Sequence, residues 1–344
     1  MSIPVSLPGR SVLPLGGLFV LGGDVGGTKT NLALYHATRE KLVSVKEKKF
    51  SSGDFSSVAG IIEAFLKEVD QIPDRICLGV AGPVLNGRAE LTNLDWLVDS
   101  DQLLKQFQVE KVSLINDLEA IAYGLAEMEQ EQLIQLCRGN PLTRGNMAII
   151  APGTGLGQAG LFWDGKYYHP FPTEGGHCDF SPRTQEDYDL CRYLQALYGV
   201  VSWEKLISGS GIVDTFNFLN QKRGNDTPTW LSDKLLTDDA PAAITDSAEE
   251  NSDEVCVKTM QLFVRYLARE TSNLVLKMKA TGGVFIAGGI PPKIAGLIRG
   301  NDFYQHFMDC DRMQHLLEEV PVYIVKEEKA GLIGAAGYGA YASR

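Results

Sequence analysis

A β-hairpin is predicted near the start of the chain by residues 18–35, which read Leu18-Phe-Val-Leu-Gly-Gly-Asp-Val-Gly-Gly-Thr28 and then Lys29-Thr-Asn-Leu-Ala-Leu-Tyr35. Two apolar runs flank a turn rich in glycine, which is the pattern of two strands joined by a tight connection. Lys41 to Phe50 alternates weakly between polar and apolar residues and can supply a third strand. The N-terminal half is therefore predicted to begin with three strands.

The same order of strand, glycine turn and strand recurs in the second half of the chain. Asn146-Met-Ala-Ile-Ile150 and Ala159-Gly-Leu-Phe-Trp163 are largely apolar, and Gly153-Thr-Gly-Leu-Gly157 lies between them. Asp164-Gly165 then separates two aromatic-rich runs, which is a strong signal for a hairpin. That hairpin argues against a dinucleotide-binding motif at Gly155-Leu-Gly-Gln-Ala-Gly160, because the third glycine of such a motif must lie in a helix.

Helices and buried strands are predicted between and after the two hairpins. A helix covers Val58 to Val69, with Ser56 or Ser57 as its N-cap. The other predicted elements are strands at 75–81, 112–115 and 283–287, and helices beginning near Leu118, around 257–268 and at 331–342. This mixture of strands and helices predicts an α/β protein.

Two segments are predicted to be irregular. Residues 1–17 contain three prolines and no apolar run, and we expect a flexible tail there. Residues 224–254 carry nine acidic side chains against the single base Lys234. That composition predicts a solvated surface insertion with weak structure.

The composition excludes several classes of protein. With 44% hydrophobic residues and 36 Gly among 344 residues, the chain can build a large core and is neither disordered nor collagen-like. The net charge of −11 argues against nucleic acid as a partner. No apolar run approaches about 18 residues, so we expect no membrane partner. The six cysteines form no CxxC pair, which fits a reducing cytoplasm.

The two glycine turns occupy equivalent positions in successive halves and predict a phosphate site. Backbone N–H groups of both turns, together with the hydroxyls of Thr28 and Thr154, can bind a triphosphate across a cleft. Asp24 ends the first strand and is placed to hold Mg²⁺ through water, unless it merely initiates the turn. Gly288 and Gly289 end a buried strand and can admit adenosine, or they form a plain strand-to-helix turn.

Six motifs spread over the chain resemble the bacterial glucokinase family within the actin, hexokinase and Hsp70 ATPase-like superfamily. They are Gly23-Asp-Val-Gly-Gly-Thr28, Ile115-Asn-Asp117, Ala151-Pro-Gly-Thr-Gly-Leu-Gly157, Glu174-Gly-Gly-His-Cys-Asp-Phe180, Glu204-Lys-Leu-Ile-Ser-Gly-Ser-Gly211 and Phe285-Ile-Ala-Gly-Gly-Ile290. The zinc-binding cysteine cluster of the ROK sugar kinases is absent from the sequence, which favours the non-ROK branch. The resemblance extends from Val20 to Gly337.

The resemblance implies a two-lobed actin-like ATPase fold of the ribonuclease H-like type, with a cleft between the lobes. The small α/β domain would consist of residues 18–127 and 328–344, and the large one of residues 128–327. The nucleotide-binding residues would be Gly23, Asp24, Val25, Gly26, Gly27, Thr28, Gly153, Thr154, Gly155, Gly288 and Gly289.

The resemblance also implies which residues bind the sugar and act on it. Asp117 follows the predicted strand at 112–115 and would be the general base, although a lone Asp there can also be a helix N-cap. The sugar-binding residues would be Asn93, Asn116, Asp117, Glu174, His177 and Glu204. Carboxylates and an imidazole suit a hexose because each hydroxyl both donates and accepts. Taken alone, Glu204 could instead complement a helix dipole, and His177 could be structural.

The implied activity is the ATP-dependent phosphorylation of glucose at its 6-hydroxyl, with ATP and Mg²⁺ as cofactors, by a cytoplasmic homodimer. One alternative is a kinase for another hexose such as mannose or glucosamine. Another is a non-catalytic sugar-responsive regulator on the same fold. Such regulators usually add a DNA-binding helix-turn-helix, for which the 17 or so residues before the first strand leave no room. An actin-like or chaperone ATPase would have no need of Glu174, His177 and Glu204.

Overall fold

The computed structural model describes residues 3–91, 94–237, 239–300 and 302–342. The chain divides into two compact units. Unit 1 consists of Met1–Gln132, Leu161–Pro172 and Glu327–Arg344, and unit 2 consists of Leu133–Gly160 and Thr173–Lys326. The predicted large domain included all of residues 128–327, whereas Leu161–Pro172 are grouped with unit 1.

Strands and helices occur in groups along the chain. The strands are β1 (Leu18–Val25), β2 (Lys29–Ala37), β3 (Leu42–Ser51), β4 (Arg75–Val80), β5 (Arg88–Leu91), β6 (Trp96–Asp99), β7 (Lys111–Asn116), β8 (Leu133–Cys137), β9 (Met147–Pro152), β10 (Leu156–Trp163), β11 (Tyr168–Thr173), β12 (Gly283–Ile286) and β13 (Val322–Val325). The α-helices are α1 (Val58–Leu66), α2 (Ser100–Phe107), α3 (Asp117–Gly124), α4 (Gln185–Tyr198), α5 (Gly209–Lys222), α6 (Thr229–Thr237), α7 (Ala240–Glu249), α8 (Glu254–Met278), α9 (Ala295–Gly300), α10 (Phe303–Met308), α11 (Gln314–Glu318) and α12 (Ala330–Tyr341).

Both predicted hairpins are confirmed. β1 and β2 pair antiparallel over their whole length. β10 and β11 are joined by a turn in which Asp164 N donates to Tyr167 O at 3.2 Å and Gly165 has a φ of +100°. Because β10 contains Gly160, the third glycine of the apparent dinucleotide motif lies in a strand and not in a helix.

A five-stranded sheet with the order β3-β2-β1-β4-β7 forms the centre of unit 1. β1, β4 and β7 are parallel, and β2 and β3 are antiparallel to their neighbours. Side chains of β1 alternate between two cores: Leu21 packs with Ile61 of α1, and Val20 packs with Leu332 and Ala336 of α12. Helices therefore cover both faces, as expected where parallel strands are buried on both sides.

Glycine lets α12 approach α3 and the sheet closely. A Cβ at Gly334 of α12 would lie 1.7 Å from the carbonyl oxygen of Ala120, and a Cβ at Gly124 of α3 would lie 2.2 Å from that of Ala330. Gly22 of β1 faces α12 in the same way. The packing of the C-terminal helix therefore requires glycine at position 334, and this helix holds α3 in place.

A six-stranded sheet with the order β11-β10-β9-β12-β13-β8 is associated with unit 2. β9, β12 and β13 are parallel, and β8 is antiparallel to β13. The longest helix, α8, is buried along most of its 25 residues. Even so, within the described residues no helix is long and apolar enough to cross a membrane.

Residues 3–17, predicted as a flexible tail, pack against the rest of unit 1. Ile3 and Val5 are buried, and Tyr168 of β11 exchanges two backbone hydrogen bonds of 2.8 Å with the segment. This pairing with the edge strand accounts for the grouping of Leu161–Pro172 with unit 1. No periodic pattern marks these residues, because the segment pairs with the strand at the single isolated bridge between Val5 and Tyr168.

Residues 224–254, predicted as weakly structured, contain the helices α6 and α7. Leu231 and Ile244 are fully buried and belong to the core of unit 2. The buried residues of α7 are Ala243, Ile244, Ser247 and Ala248. The prediction was wrong because it used the acidic composition, whereas the helical spacing of the few apolar residues decides the structure.

We expect Gly334→Ala to destabilise the protein, because its Cβ would overlap the carbonyl oxygen of Ala120. Overpacking of this kind costs about 1–3 kcal/mol of unfolding free energy. Gly337→Ala in the same helix is the matched control, since a Cβ there meets no atom within 4 Å and alanine favours a helix over glycine. Urea denaturation should show a loss of stability for the first variant only. Equal stability of the two variants would contradict this account of the packing.

Candidate active site

Two predicted site carboxylates lie at the C-terminal ends of parallel strands in unit 1. Asp24 of β1 is in register with Gly79 of β4, and Gly79 is in register with Ile115 of β7, two residues before Asp117. A Cβ at Gly79 would meet the Cα of Asp117 at 3.8 Å. Asp24 and Asp117 therefore share the edge of the sheet at which α/β proteins bind ligands.

Asp24 is a carboxylate in a confined place. Burial raises its pKa, and a hydrogen bond of 3.4 Å from the Nδ2 of Asn31 opposes that rise. Its carboxyl group also lies beside the first turn of α12, where a Cβ at Gly331 would meet Oδ1 at 3.9 Å. Because burial disfavours the charged form, a cation bound at this position would stabilise it.

The glycine turn after β1 is held by Ser52, a residue that the sequence analysis missed. Ser52 N donates to Thr28 O at 3.0 Å, and Ser52 Oγ donates to Gly26 O at 2.9 Å. Thr28 itself is exposed at the turn. Gly23, by contrast, faces the core of the unit, where a Cβ would lie 2.5 Å from the side chain of Leu78. Its lack of a side chain serves packing inside the sheet.

Asn116, and not Asp117, is the N-cap of α3. Asn116 Oδ1 accepts hydrogen bonds from Leu118 N at 2.9 Å and Glu119 N at 3.3 Å, and its Nδ2 donates to Gly82 O at 3.1 Å. Asp117 is the first residue of the helix, and its Oδ1 accepts from Leu118 N at 2.9 Å. The alternative that Asp117 is the helix cap is therefore wrong.

In unit 2, the carboxylate of Glu204 lies against the second glycine turn. Gly153 N donates to Gly155 O at 2.9 Å to close the turn, and Thr154 is exposed at its tip. Glu204 Oε2 accepts the N–H of Leu156 at 3.0 Å. A Cβ at Gly155 would lie 2.5 Å from this oxygen, so the carboxylate would have to shift if the residue were not glycine. The carboxylate thus binds the turn, while Glu204 also lies in the first turn of the short 3₁₀ helix Trp203–Lys205.

Ser208 fixes the segment that follows Glu204. Its Oγ donates to Glu204 O at 2.7 Å and accepts from Gly211 N at 3.1 Å as the N-cap of α5. Gly209 N donates to Gly153 O at 2.9 Å. Residues 204–211 are therefore hydrogen bonded to the glycine turn at two points, through the Glu204 carboxylate and through Gly209 N.

The loop Glu174–His177 lies directly on β10. A Cβ at Gly175 would lie 2.1 Å from Gln158 Oε1, and a Cβ at Gly176 would lie 1.9 Å from Leu156 O. Gly176 therefore allows a backbone contact that a side chain would block, and a side chain at position 175 would have to displace the Gln158 amide. Both end residues of the loop have exposed side chains.

Antiparallel backbone pairing joins this loop to the segment that carries Glu204. Asp179 and Ser202 form an isolated β-bridge. Two backbone hydrogen bonds flank it, from Phe180 N to Val201 O at 2.9 Å and from Trp203 N to Cys178 O at 3.0 Å. Unit 2 thus links the backbones that carry its three predicted sugar-binding side chains.

Gly288 and Gly289 follow β12 beside the same glycine turn. Gly288 has a φ of +89°, and a Cβ there would lie 2.4 Å from the carbonyl oxygen of Pro152, the last residue of β9. The predicted nucleotide-binding glycines of unit 2 are therefore neighbours at the ends of two parallel strands. Asn93, predicted as a sugar contact, lies outside the described residues.

Comparison with known proteins gives a consistent set of matches. A family model described as Glucokinase matches residues 21–342. Glucokinase from Trichormus variabilis is 38% identical over 333 residues, covering 92% of this chain and 97% of the relative. A glucokinase structure from an Antarctic psychrotroph has a TM-score of 0.79 at 29% identity, covering 93% of this chain and 98% of that one.

A third match concerns the fold alone. The structure of a ROK family glucokinase from Streptomyces griseus, in complex with glucose and AMPPNP, has a TM-score of 0.63 at 20% identity and covers 93% of this chain and 99% of that one. Together with the psychrotroph structure, it confirms the predicted actin-like sugar-kinase fold class.

We expect Gly155→Ala to weaken the binding of glucose, the ligand that the family resemblance implies for Glu204. The new Cβ would displace the Glu204 carboxylate from Leu156 N. A hydrogen bond to a charged group contributes roughly 1.5–3 kcal/mol, so glucose affinity should fall about 10- to 100-fold if the displaced group binds the sugar. Gly153→Ala is the control, because a Cβ there meets no atom within 4 Å. Calorimetry without nucleotide should separate the two variants, and equal glucose affinities would count against this role of Gly155.

Proposed function

Because the chain belongs to the glucokinase family, we propose that it phosphorylates glucose at the 6-hydroxyl with ATP, giving glucose 6-phosphate and ADP. The observation that carries this proposal is the Asp117 carboxylate at the C-terminal edge of the parallel strands, with helix capping left to Asn116. A proton acceptor at this edge is what transfer to a hydroxyl requires. The glucose and AMPPNP bound by a protein of the same fold support the choice of ligands.

In the proposed mechanism, Asp117 is the general base. As the O6–phosphorus bond forms and the bond from phosphorus to the leaving oxygen breaks, the 6-hydroxyl proton moves to a carboxylate oxygen of Asp117. The first turn of α3 stabilises negative charge at this position through its dipole. Asn116 holds the start of the helix, and therefore the carboxylate, in place.

Glu174, His177 and Glu204 are proposed to bind the remaining sugar hydroxyls. The exposed side chains of Glu174 and His177 are available to a ligand, and the anchored carboxylate of Glu204 offers a fixed acceptor. Asn116 would contribute the second N–H of its Nδ2, since the first is donated to Gly82 O. Fixed acceptors and donors around the ring would select among hexoses by the orientation of each hydroxyl.

The two glycine turns are proposed to bind the ATP phosphates, with Gly288 and Gly289 beside the adenosine. Asp24 fits a Mg²⁺ role, because it is a confined carboxylate next to the first turn. Within the described residues, no group of three or more His, Cys, Asp or Glu side chains could hold a metal by itself. That agrees with Mg²⁺, which keeps its waters and is usually shared between one or two carboxylates and substrate phosphates. The ion would neutralise charge on those phosphates.

We also propose a homodimer in the cytoplasm, on the family resemblance alone. The net charge of −11 supports the expectation that nucleic acid is not a partner.

A coupled ADP-release assay across hexoses tests the activity directly. We expect glucose to give the highest kcat/KM, with mannose and glucosamine lower. A higher value for mannose or glucosamine would favour the alternative kinase. Sugar binding without ADP release from any hexose would favour the non-catalytic regulator.

We expect Asp117→Asn to lower kcat by about 10²–10⁴ while glucose binding is retained, because the variant keeps shape but loses the proton acceptor. Asp101→Asn is the matched control, since Asp101 is also an acidic residue in the first turn of a helix of unit 1. Calorimetry and steady-state kinetics together separate binding from turnover. Wild-type turnover in a folded Asp117→Asn protein would overturn the mechanism.

A further inference from the structure

Helix α8 carries two adjacent residues of opposite charge that are both buried. Arg269 is 3% exposed and Glu270 is 0% exposed. Burying a charge is costly unless it is paired and hydrogen bonded, so each side chain must have specific partners. Because adjacent helical residues point in directions about 100° apart, the two charges reach different neighbours.

Arg269 reaches the segment that follows the Glu174–His177 loop. Its Nη1 donates to Asp187 Oδ2 at 2.8 Å, and its Nη2 donates to Ser181 O at 2.6 Å. Burial alone would raise the pKa of Asp187, but backbone N–H donation from Arg183 and the guanidinium groups of Arg269 and Arg265 lower it to about 2. The anchor of Arg269 is therefore a carboxylate that stays ionised.

Three aromatic rings surround the guanidinium of Arg269. The centroids of Phe180, Trp203 and Tyr266 lie 5.7, 5.9 and 5.8 Å from its Cζ. Phe180 and Trp203 belong to the two backbone segments that pair beside the loop, and Trp203 directly precedes Glu204. Arg269 therefore lies against the paired segments 178–180 and 201–203. Their pairing sets the distance between the loop and Glu204.

Glu270 is linked to the start of the Glu174–His177 loop through Gln158. Its Oε1 accepts from Gln158 Nε2 at 2.9 Å, and its Oε2 accepts from Asn273 Nδ2 at 2.9 Å. With its nitrogen held by Glu270, the Gln158 amide turns its oxygen toward Gly175. The main-chain oxygen of Gln158 also accepts from Thr173 Oγ1 at 3.0 Å. The start of the loop therefore contacts the side-chain amide of Gln158, whose orientation Glu270 fixes.

We propose that Arg269 and Glu270 are positioning residues for the sugar site. Arg269 fixes the pairing of residues 178–180 with residues 201–203, beside Glu204. Glu270 fixes the start of the Glu174–His177 loop. The inference rests on the proposed sugar binding by these residues. Because Glu174 and His177 have exposed side chains, their positions depend on the backbone beneath them. The hydrogen bonds that Arg269 donates and Glu270 accepts are directional, so they define that backbone more closely than apolar packing would.

The test compares three variants of α8 and its contacts. Arg269→Lys loses the planar fork that bridges Asp187 and Ser181. Glu270→Gln places an amide where Gln158 and Asn273 donate, and it removes the ion pair of 3.6 Å with Lys277 Nζ. Arg223→Lys is the matched control, because Arg223 forms a partly buried ion pair of 2.6 Å with Asp253, the N-cap of the same helix. That pair lies roughly 24 Å from Arg269 along the helix axis.

We expect Arg269→Lys and Glu270→Gln to weaken glucose binding about 10- to 100-fold, since small displacements of binding groups have effects of this size. The KM for ATP should stay unchanged in both variants. Arg223→Lys should lower the melting temperature without changing the glucose affinity. Calorimetry with glucose, steady-state kinetics and thermal denaturation supply the three readouts.

The opposite results are distinguishable. If Arg269→Lys and Glu270→Gln melt at lower temperature but bind glucose as the wild type does, the pair only stabilises the fold and the inference fails. If the wild type itself binds no glucose, the proposed function fails, and the inference fails with it. Wild-type glucose binding without ADP release would contradict the kinase activity alone, and the glucose affinities of the variants would still decide the positioning role.

Milder variants test the proposal if Arg269→Lys and Glu270→Gln do not fold. Tyr266→Phe removes one hydrogen bond to Asp187, and Asn273→Ala removes one to Glu270. Each should weaken glucose binding about threefold, the effect of one ordinary hydrogen bond. Glucose affinity unchanged in both variants would overturn the proposal.

Discussion

The hydrogen bond from Leu156 N to the carboxylate of Glu204 is the contact on which the arrangement of unit 2 depends. It joins the glycine turn after β9 to a segment 48 residues further along the chain. The same segment pairs with the loop that carries Glu174 and His177. One charged group therefore connects the predicted phosphate-binding backbone to the predicted sugar-binding side chains, and glycine at position 155 leaves the space for it.

Close approach of backbones through glycine is the common structural device of both units. In unit 1, Gly334 and Gly124 let α12 and α3 touch, and Gly79 leaves the space beside the start of α3. The position of Asp117 therefore depends on helix packing as well as on its own strand. In unit 2, Gly176 plays the same part for a loop, where a Cβ would lie 1.9 Å from the carbonyl oxygen of Leu156. Because interiors are close-packed, one added carbon at such a point must move a whole element.

Buried charged side chains are the second structural feature, and several of them contact the segments that carry the candidate site residues of unit 2. Asp187, Arg269 and Glu270 are almost fully buried, yet each is hydrogen bonded to the protein. Such groups add little net stability over an apolar core, because the cost of desolvation offsets much of their attraction. Their contribution is geometric, since each hydrogen bond has a preferred direction.

The sequence by itself determined the two hairpins, the α/β class and the residue types of the site. Those features have local signals: a glycine turn between apolar runs, Asp164-Gly165 between strands, and Asp117 directly after an apolar strand. The tertiary structure alone decided that Asn116 caps α3, that Ser52 holds the first turn, that Val5 pairs with Tyr168 of β11, and that Glu270 accepts a hydrogen bond from Gln158. The physical reason is separation along the chain, since the bond between Gln158 and Glu270 spans 112 residues and no local pattern encodes such a partner.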